Sequence, residues 1–396
     1  MEEDPGKSGG GGGAEGIINL KPNSSIPISY HPSFGPHKDL LLLEVDEKLL
    51  PTILHQRVTV RGDSDEEAVL CTSSTTYAIK FVGNSNSIFL IPPFENSDFT
   101  VENGGKGEAA QVLKLASGNM ELVEISPKLG KLKSLLMENP YKSEEDSMDP
   151  MEEEDLERGK MELYTWEDLV GKVQASDEEL RAELKALSAV EINGYWRVVD
   201  DKYMDVVLSM VLHNSVLFGW NLNSLNEDEI LSVLESDGFS SRVVLHILEV
   251  YGNKLDMDVD MEGKCVWRLD ERRVCVHFAK GVLKEGKMKM DRFMEEWVQK
   301  IPARMCANFE MLEGEVLVEK LGVETWVRAF SVSSLPLTPA DRFAALFRER
   351  QKWEMRDLHP YIRDLRVPGV SAEGLLLKYT RRTQPTPGAE LIFSAR

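Results

Sequence analysis

The chain has 396 residues, 42% hydrophobic and 29% charged, with a formal net charge of −21 at pH 7. That length suits two or three domains, each with its own core. No apolar run approaches the roughly 20 residues that a membrane span needs, which excludes a transmembrane role.

The first residues, MEEDPGKSGGGGGAEG, are acidic and glycine-rich, the opposite of a secretory or transit peptide. Residues 1–36 are expected to form a disordered Gly/Pro-rich head. Within it, GKS at 6–8 resembles the end of a P-loop but lacks the upstream glycine and flanking strand and helix. GGKG at 104–107 has no Ser or Thr after its lysine, so it fails as well.

Residues 37–126 read as short strands between turns: LLLLEV, RVTVR, AVLCT, TTYAIKFV, SIFLIP, QVLKLAS and MELVEIS. The pattern predicts an antiparallel, β-barrel-like domain. LLLL at 40–43 is apolar on both faces, and SIFLIPPF ends in Pro92-Pro93, which suits an edge strand. Two readings stay open: a closed barrel, and a β domain for subunit assembly whose core is completed by another chain.

Between RVTVR and AVLCT lies RGDSDEEA. Asp63, Asp65 and Glu67 alternate like the start of a calcium loop, but Ala68 and Ser74 stand where that loop needs glycine and a bidentate glutamate. Without export the RGD has no adhesion role. A polar surface turn between two strands is the reading retained.

PKLGKLKSLLMENPY supplies a basic helix at 127–142, followed by SEEDSMDPMEEEDLER, an acidic linker at 143–159. Beyond it the chain repeats. YTWEDLVGKV and ASDEELRAELKALSAV are helices, the second with Ser176 as N-cap and Glu179 closing a capping box, and the strand YWRVV follows Gly194. The order recurs in LNEDEILSVLES, SSRVVLHILEVYG and GKCVWRL. It returns in DRFMEEWVQKI, ARMCANFEML and the hairpin EVLVEKLGVETWVRAF, and in KWEMRDLHPYIRDL, SAEGLLLKYT and AELIF.

Three of the strands carry Gly, Trp and Arg in sequence: Gly194/Trp196/Arg197, Gly263/Trp267/Arg268 and Gly322/Trp326/Arg328. Longer helices bridge the copies. Helix, helix-turn-helix and β wing is the winged-helix plan. The fold expected is therefore α+β and multidomain, the β domain followed by three or four tandem winged helices at 160–222, 223–285, 286–335 and a basic unit at 336–396.

There is no HExxH, GxSxG or Rossmann fingerprint. Cys275 and His277 diverge on a helix, so they read as a core cysteine and an ordinary histidine. Cys71, Cys265, Cys275 and Cys306 contain no CxxC pair, which argues for reduced, core-filling thiols in cytosol or nucleus. No catalytic, metal-binding or cofactor-binding residue is nominated, no cofactor is expected, and the chain is read as a non-enzyme. Residues 342–382 are basic. From Arg342 onward the DNA-binding candidates are Arg348, Arg350, Lys352, Arg356, Arg363, Arg366, Lys378, Arg381 and Arg382. Their competing role is pairing with Glu349, Glu354, Asp357 and Asp364 on the same helices.

RGDSDEEAVLC, PKLGKLKSLLMENPY, QASDEELRAELKALSAVEINGYWRVV and RFAALFRERQKWEMRDLHPYIRDL…LLLKYT together resemble one family. It is the sister chromatid cohesion protein DCC family, the cohesion subunit of the alternative, chromosome-transmission-fidelity type of replication factor C clamp loader. The resemblance implies a nuclear, non-catalytic adaptor in DNA replication and the cell cycle. Its β domain would join the large clamp-loader ATPase subunit and a small β subunit of the same complex. Its winged helices would contact DNA, single- or double-stranded and without sequence preference, and the catalytic subunit of polymerase epsilon. The sliding clamp (PCNA) would be a partner only indirectly, being loaded or unloaded by the complex, and no membrane is involved. The alternative is a winged-helix transcriptional regulator that reads specific sites.

Overall fold

The structure is a computed structural model that describes residues 27–92, 110–143, 162–255, 265–384, 386 and 388–396. The P-loop look-alikes, Gly263 and Pro93 lie outside the described residues, as do nearly all of the acidic linker and most of the head. The chain forms two compact units, Met1–His55 with Ala78–Val123, and Gln56–Tyr77 with Glu124–Arg396. It is a mixed α+β, multidomain protein.

The first unit contains β1 (Ile28–Tyr30), β2 (Leu43–Glu44), α1 (Leu50–His55), most of β5 (Thr76–Leu90), β6 (Ala110–Val112) and most of β7 (Lys114–Ile125). The closed antiparallel barrel, one of the two readings, does not form among the described residues. β1 pairs with β6 in parallel, β2 pairs with β7 in parallel, and the order β2-β7-β5 remains open. Two- and three-residue strands give too little register for a closed, sheared barrel. TTYAIKFV and SIFLIP, expected as two strands, are one continuous strand. Pairing overrides the turn residues Gly83–Asn86, and Gly118 makes it fit, since a Cβ there would collide with the Val82 carbonyl. Of LLLL, only Leu43 enters a strand.

The second unit holds the hairpin of β3 (Thr59–Arg61) and β4 (Val69–Cys71), with Arg61 opposite Val69. Asp63 and Glu66, in the turn, pair with Lys131 of helix α2 (Gly130–Glu138). The acids therefore serve the fold. The RGD is not all surface, however, because Arg61 is buried.

After α2 come α3 (Trp166–Lys172), α4 (Asp177–Ala186), β8 (Ala189–Ile192) and β9 (Tyr195–Val198). Both helices start in full capping boxes, Thr165 with Asp168 and Ser176 with Glu179. Leu132, Leu136, Leu169, Leu180 and Leu184 make their common core. The next set is α5 (Asp201–Leu217), β10 (Leu225–Asn226), α6 (Glu227–Ser236), α7 (Ser241–Tyr251), β11 (Gly252–Leu255) and β12 (Val266–Leu269). A third is α8 (Glu271–Val282), β13 (Met288–Lys289), α9 (Met290–Lys300), β14 (Val316–Leu321) and β15 (Glu324–Ala329). The last is α10 (Pro339–Glu349), β16 (Lys352–Glu354), α11 (Met355–Leu358), α12 (Ala372–Tyr379), β17 (Thr380–Thr383) and β18 (Ile392–Ala395).

In each of the last three sets a short first strand pairs antiparallel with the final strand: β10-β12-β11, β13-β15-β14 and β16-β18-β17. In the first, an isolated bridge from Tyr164 to Trp196 does the same. The tryptophans share one register: Trp196 faces Tyr164, Trp267 faces Leu225, and Trp326 faces Lys289. Trp267 is buried, whereas Trp196 and Trp326 are half-buried.

Of two expected helices, one is absent and one is cut short. ARMCANFEML gives only a 3-10 turn at Phe309–Leu312, because the Asn308 side chain accepts the Glu310 N–H and competes with helix propagation. KWEMRDLHPYIRDL begins as a strand and continues as α11 and a 3-10 turn at Pro360. Among the cysteines, Cys71 and Cys275 are buried, but Cys306 is exposed rather than core-filling.

Candidate nucleic-acid and subunit interfaces

The C-terminal set places the cations. Helix α10 begins at Thr338, whose hydroxyl donates to Asp341 at 2.6 Å, with Pro339 in the first turn. It buries Phe343 and Leu346 against Trp353, Leu358, Tyr361, Leu375 and Phe393. Arg342 lies on that inner face and is 1% exposed. Its guanidinium donates to both carboxylate oxygens of Asp364 at 3.0 Å, to the Tyr361 carbonyl at 2.9 Å and to the Pro336 carbonyl at 2.5 Å. It is thereby withdrawn from any nucleic-acid surface.

The β16-β18-β17 sheet fixes another group by register. Lys352 and Arg381 are both partners of Ser394, so the three side chains share one face. Trp353 and Phe393 occupy the opposite, buried face, which leaves the Ser394 face to solvent. Two strand spacings put Lys352 and Arg381 roughly 10 Å apart across the sheet. Among the described residues neither has a carboxylate partner. The same holds for Arg348, Arg363, Arg366, Lys378 and Arg382, all exposed.

Arg350 and Arg356 are placed differently. Arg350 is half-buried over the Trp353 ring at 4.9 Å and donates to Asp357 at 2.8 Å and the Val318 carbonyl at 2.7 Å. Arg356 is exposed among Glu390 at 3.8 Å, Glu354 at 2.9 Å and Asp357 at 3.9 Å, and those charges, Glu390 foremost, hold its pKa above the usual value. Of the four expected acidic partners, Glu354 and Asp357 pair within the candidate set, Glu349 pairs with Arg328, and Asp364 pairs with Arg342. Sequence reasoning missed Ser394 as the centre of the cationic row. Only strand alternation in LIFSA, read against KWE, could have signalled it.

The first unit presents a different surface. An open groove of about 200 Å³ is lined by Leu40–Leu42, Phe81 and the 114–120 stretch of β7. Leu41 is 69% exposed, and Phe81 58%. Ile28, Tyr30, Leu54 and Phe89 add further exposed apolar area in the same unit. So much apolar surface is unusual on a small free domain.

Cys275 and His277, two residues apart on α8, take different surroundings. Burial pushes the Cys275 thiol up to about 11. His277 instead bonds the Tyr251 hydroxyl through Nδ1 at 2.8 Å and faces Asp205 through Nε2 at 3.0 Å. Among the described residues no cluster of His, Cys, Asp and Glu could hold a metal ion, and no helix is long and apolar enough to cross a membrane.

Residues 40–362 match the family described as "Sister chromatid cohesion protein Dcc1". The chain is similar to Sister chromatid cohesion protein DCC1 of Homo sapiens, at 31% identity over 92% of each chain. It is also similar to that of Mus musculus, at 33% over 87% of this chain and 84% of the relative. The Saccharomyces cerevisiae protein of the same name is 22% identical over 90% of this chain and 97% of its own. The family match ends before Arg363, Arg366, Lys378, Arg381 and Arg382.

Proposed function

This chain belongs to the sister chromatid cohesion protein Dcc1 family, and from that premise we propose that it acts in sister chromatid cohesion, at chromatin in the nucleus. In this reading it is a non-catalytic subunit of an alternative replication factor C clamp loader. It links the loader to DNA and to the catalytic subunit of polymerase epsilon, and it supports loading or unloading of the sliding clamp (PCNA) during replication.

The single observation that carries the adaptor reading is the apolar exposure of the first unit around Leu41 and Phe81. Its open sheet order and parallel edge pairing support a β domain at 37–126 that partner β segments complete, contributed by the large ATPase and the small β subunit. The recurring order of helix, short strand, two helices and two strands is read as winged helices at 160–222, 223–285, 286–335 and 336–396. The third is degenerate, with only a 3-10 turn in place of its second inner helix.

The DNA contact is assigned to the Lys352–Ser394–Arg381 row, with Arg348, Arg363, Arg366, Lys378 and Arg382 beside it in sequence. Arg350 and Arg356 contribute less, being already engaged by carboxylates. Backbone binding is favoured over base reading, because the first turn of α12 carries Glu373 and no basic residue.

The test is co-expression of the full chain with the large ATPase and small β subunits, followed by size-exclusion chromatography. Wild type is expected to co-elute with both. Leu41→Glu with Phe81→Glu is expected to lose them while DNA binding persists. Co-elution of the double variant at wild-type yield would defeat the assignment of this surface.

A further inference from the structure

The four residues Ser-Asp-Glu-Glu occur twice in the chain, at 64–67 and at 176–179. A hydroxyl with a carboxylate three residues later can close a helix capping box. It can equally be read by a protein kinase whose substrate groove is basic, since kinases select substrates by charge pattern. The fold separates the two copies.

Ser176 is fully buried. Its hydroxyl accepts the Glu179 N–H, and its own N–H is bonded to Thr76 and to Glu179. Asp177 pairs with buried Arg61. The folded chain withholds that hydroxyl from any kinase.

Ser64 instead stands exposed in the turn between β3 and β4. The Asp63 carbonyl accepts the Glu66 N–H at 3.1 Å, which makes Ser64 the second residue of a four-residue turn. The Asp63 N–H donates to Glu66 Oε2 at 3.1 Å. Among the described residues the Ser64 hydroxyl has no hydrogen-bond partner. The side-chain bonds that hold the turn are open to solvent, so extending it into a kinase cleft costs little.

The charges around Ser64 are sorted in the same way. Arg61 lies three residues before it, the position that a kinase with an acidic groove would select. That arginine is 6% exposed and is held by the Ala175 carbonyl and the Asp177 carboxylate. Lys131 takes Asp63 and Glu66. Asp65 and Glu67 are exposed, and neither has a cationic partner among the described residues. The turn therefore offers a free hydroxyl followed by free carboxylates one and three residues on. Exposure alone does not single it out. Ser73 and Ser74 are exposed as well, but Thr75, Thr76 and Tyr77 follow them and no acid does.

We infer that Ser64 is a phosphorylation site for a protein kinase with a basic substrate groove, directed there by Asp65 and Glu67. In the transfer, the bond from Ser64 Oγ to the γ-phosphorus of Mg·ATP forms as the bond to the β–γ bridging oxygen breaks. The hydroxyl proton passes to a carboxylate of the kinase, and ADP leaves. The product brings about −1.5 to −2 charge into the turn that Lys131 ties to α2.

The test incubates the full, folded chain with Mg·ATP and one of two kinases, casein kinase II with its basic groove or cyclic-AMP-dependent kinase with its acidic one. Peptide mass spectrometry locates the phosphate, and resolves Ser64 from the acidic run that follows Ser143. The basic-groove kinase is expected to modify Ser64 and to leave Ser176 unmodified. Asp65→Asn with Glu67→Gln alters two exposed, unpaired side chains, so the thermal melt should stay where it is. The rate at Ser64 should nevertheless fall by about tenfold. Ser64→Ala should abolish incorporation in that peptide. No phosphate on Ser64, or Ser176 modified as fast as Ser64, would overturn the inference. So would faster modification of Ser64 by the acidic-groove kinase, or an unchanged rate in the double variant.

Discussion

Thr76 and Glu179, 103 positions apart in the chain, share a hydrogen bond of 2.6 Å in which the threonine hydroxyl donates to the carboxylate. The Ser176 N–H donates to both groups, to Thr76 Oγ1 at 2.9 Å and to Glu179 Oε2 at 2.9 Å. The capping box that starts α4 is thus also the joint that seats the β3–β4 hairpin. Arg61 completes the joint, its guanidinium donating to the Ala175 carbonyl and the Asp177 carboxylate. Gln174 adds a bond of 2.7 Å to the Glu67 carbonyl.

This joint should be measurable. Thr76→Val removes one partner from the Ser176 N–H and from Glu179, and is expected to cost about 1–2 kcal/mol in urea unfolding. Arg61→Met leaves the buried Ala175 carbonyl unpaired and is expected to cost about 2 kcal/mol or more. Both variants should speed amide exchange across 56–77. Wild-type exchange there would show that the joint does not hold the hairpin.

Arg342 belongs to the core and not to the DNA surface. Arg342→Met abandons Asp364 and two carbonyls, with an expected loss of about 3–5 kcal/mol. Arg342→Lys cannot reproduce the two-pronged geometry and should recover only part of that loss. Exchange of Arg342 for lysine at no cost in unfolding would contradict its role in the core.

The cationic row gives a graded prediction for DNA. Lys352→Ala with Arg381→Ala is expected to lower the slope of log affinity against log salt by about 1.5–2, close to 0.9 for each phosphate left without its cation. Arg356→Ala should change it little, because three carboxylates already surround that guanidinium. Equal effects from all three sites would indicate diffuse attraction rather than a built row.

A pH dependence follows from Glu319. Hydrogen bonds from Lys287 and then Arg328 hold its carboxyl below the usual carboxylate range. A carboxyl depressed in the folded state contributes stability above its unfolded pKa and loses it as pH falls through the folded value. Compared with Glu319→Gln, wild type should therefore be more stable at pH 7 by no more than about 1 kcal/mol. The gap should close between about pH 5 and pH 3. A gap that persists below pH 3 would place its origin elsewhere.

Local chemistry made much of the second unit legible. Ser176 and Glu179 announce the start of α4 because a capping box needs only residues three apart, and Leu180 and Leu184 mark its buried side. The same local logic failed at ARMCANFEML, where Asn308 competes with the helix, and at GNSNS, where pairing with β7 overrode the turn.

The sequence by itself determined the family, most of the helices beyond the acidic linker, and the cationic character of the C-terminal set. Those rest on composition and on interactions a few residues long. Only the tertiary structure decided which arginines are available. Arg342 and Arg348 sit on one helix with the same local chemistry, yet one is inside and the other outside. It also decided that Lys352 and Arg381 flank Ser394, since strand register joins positions far apart in the chain. Burial and register depend on what packs or pairs across the fold, and no short stretch of sequence contains that partner.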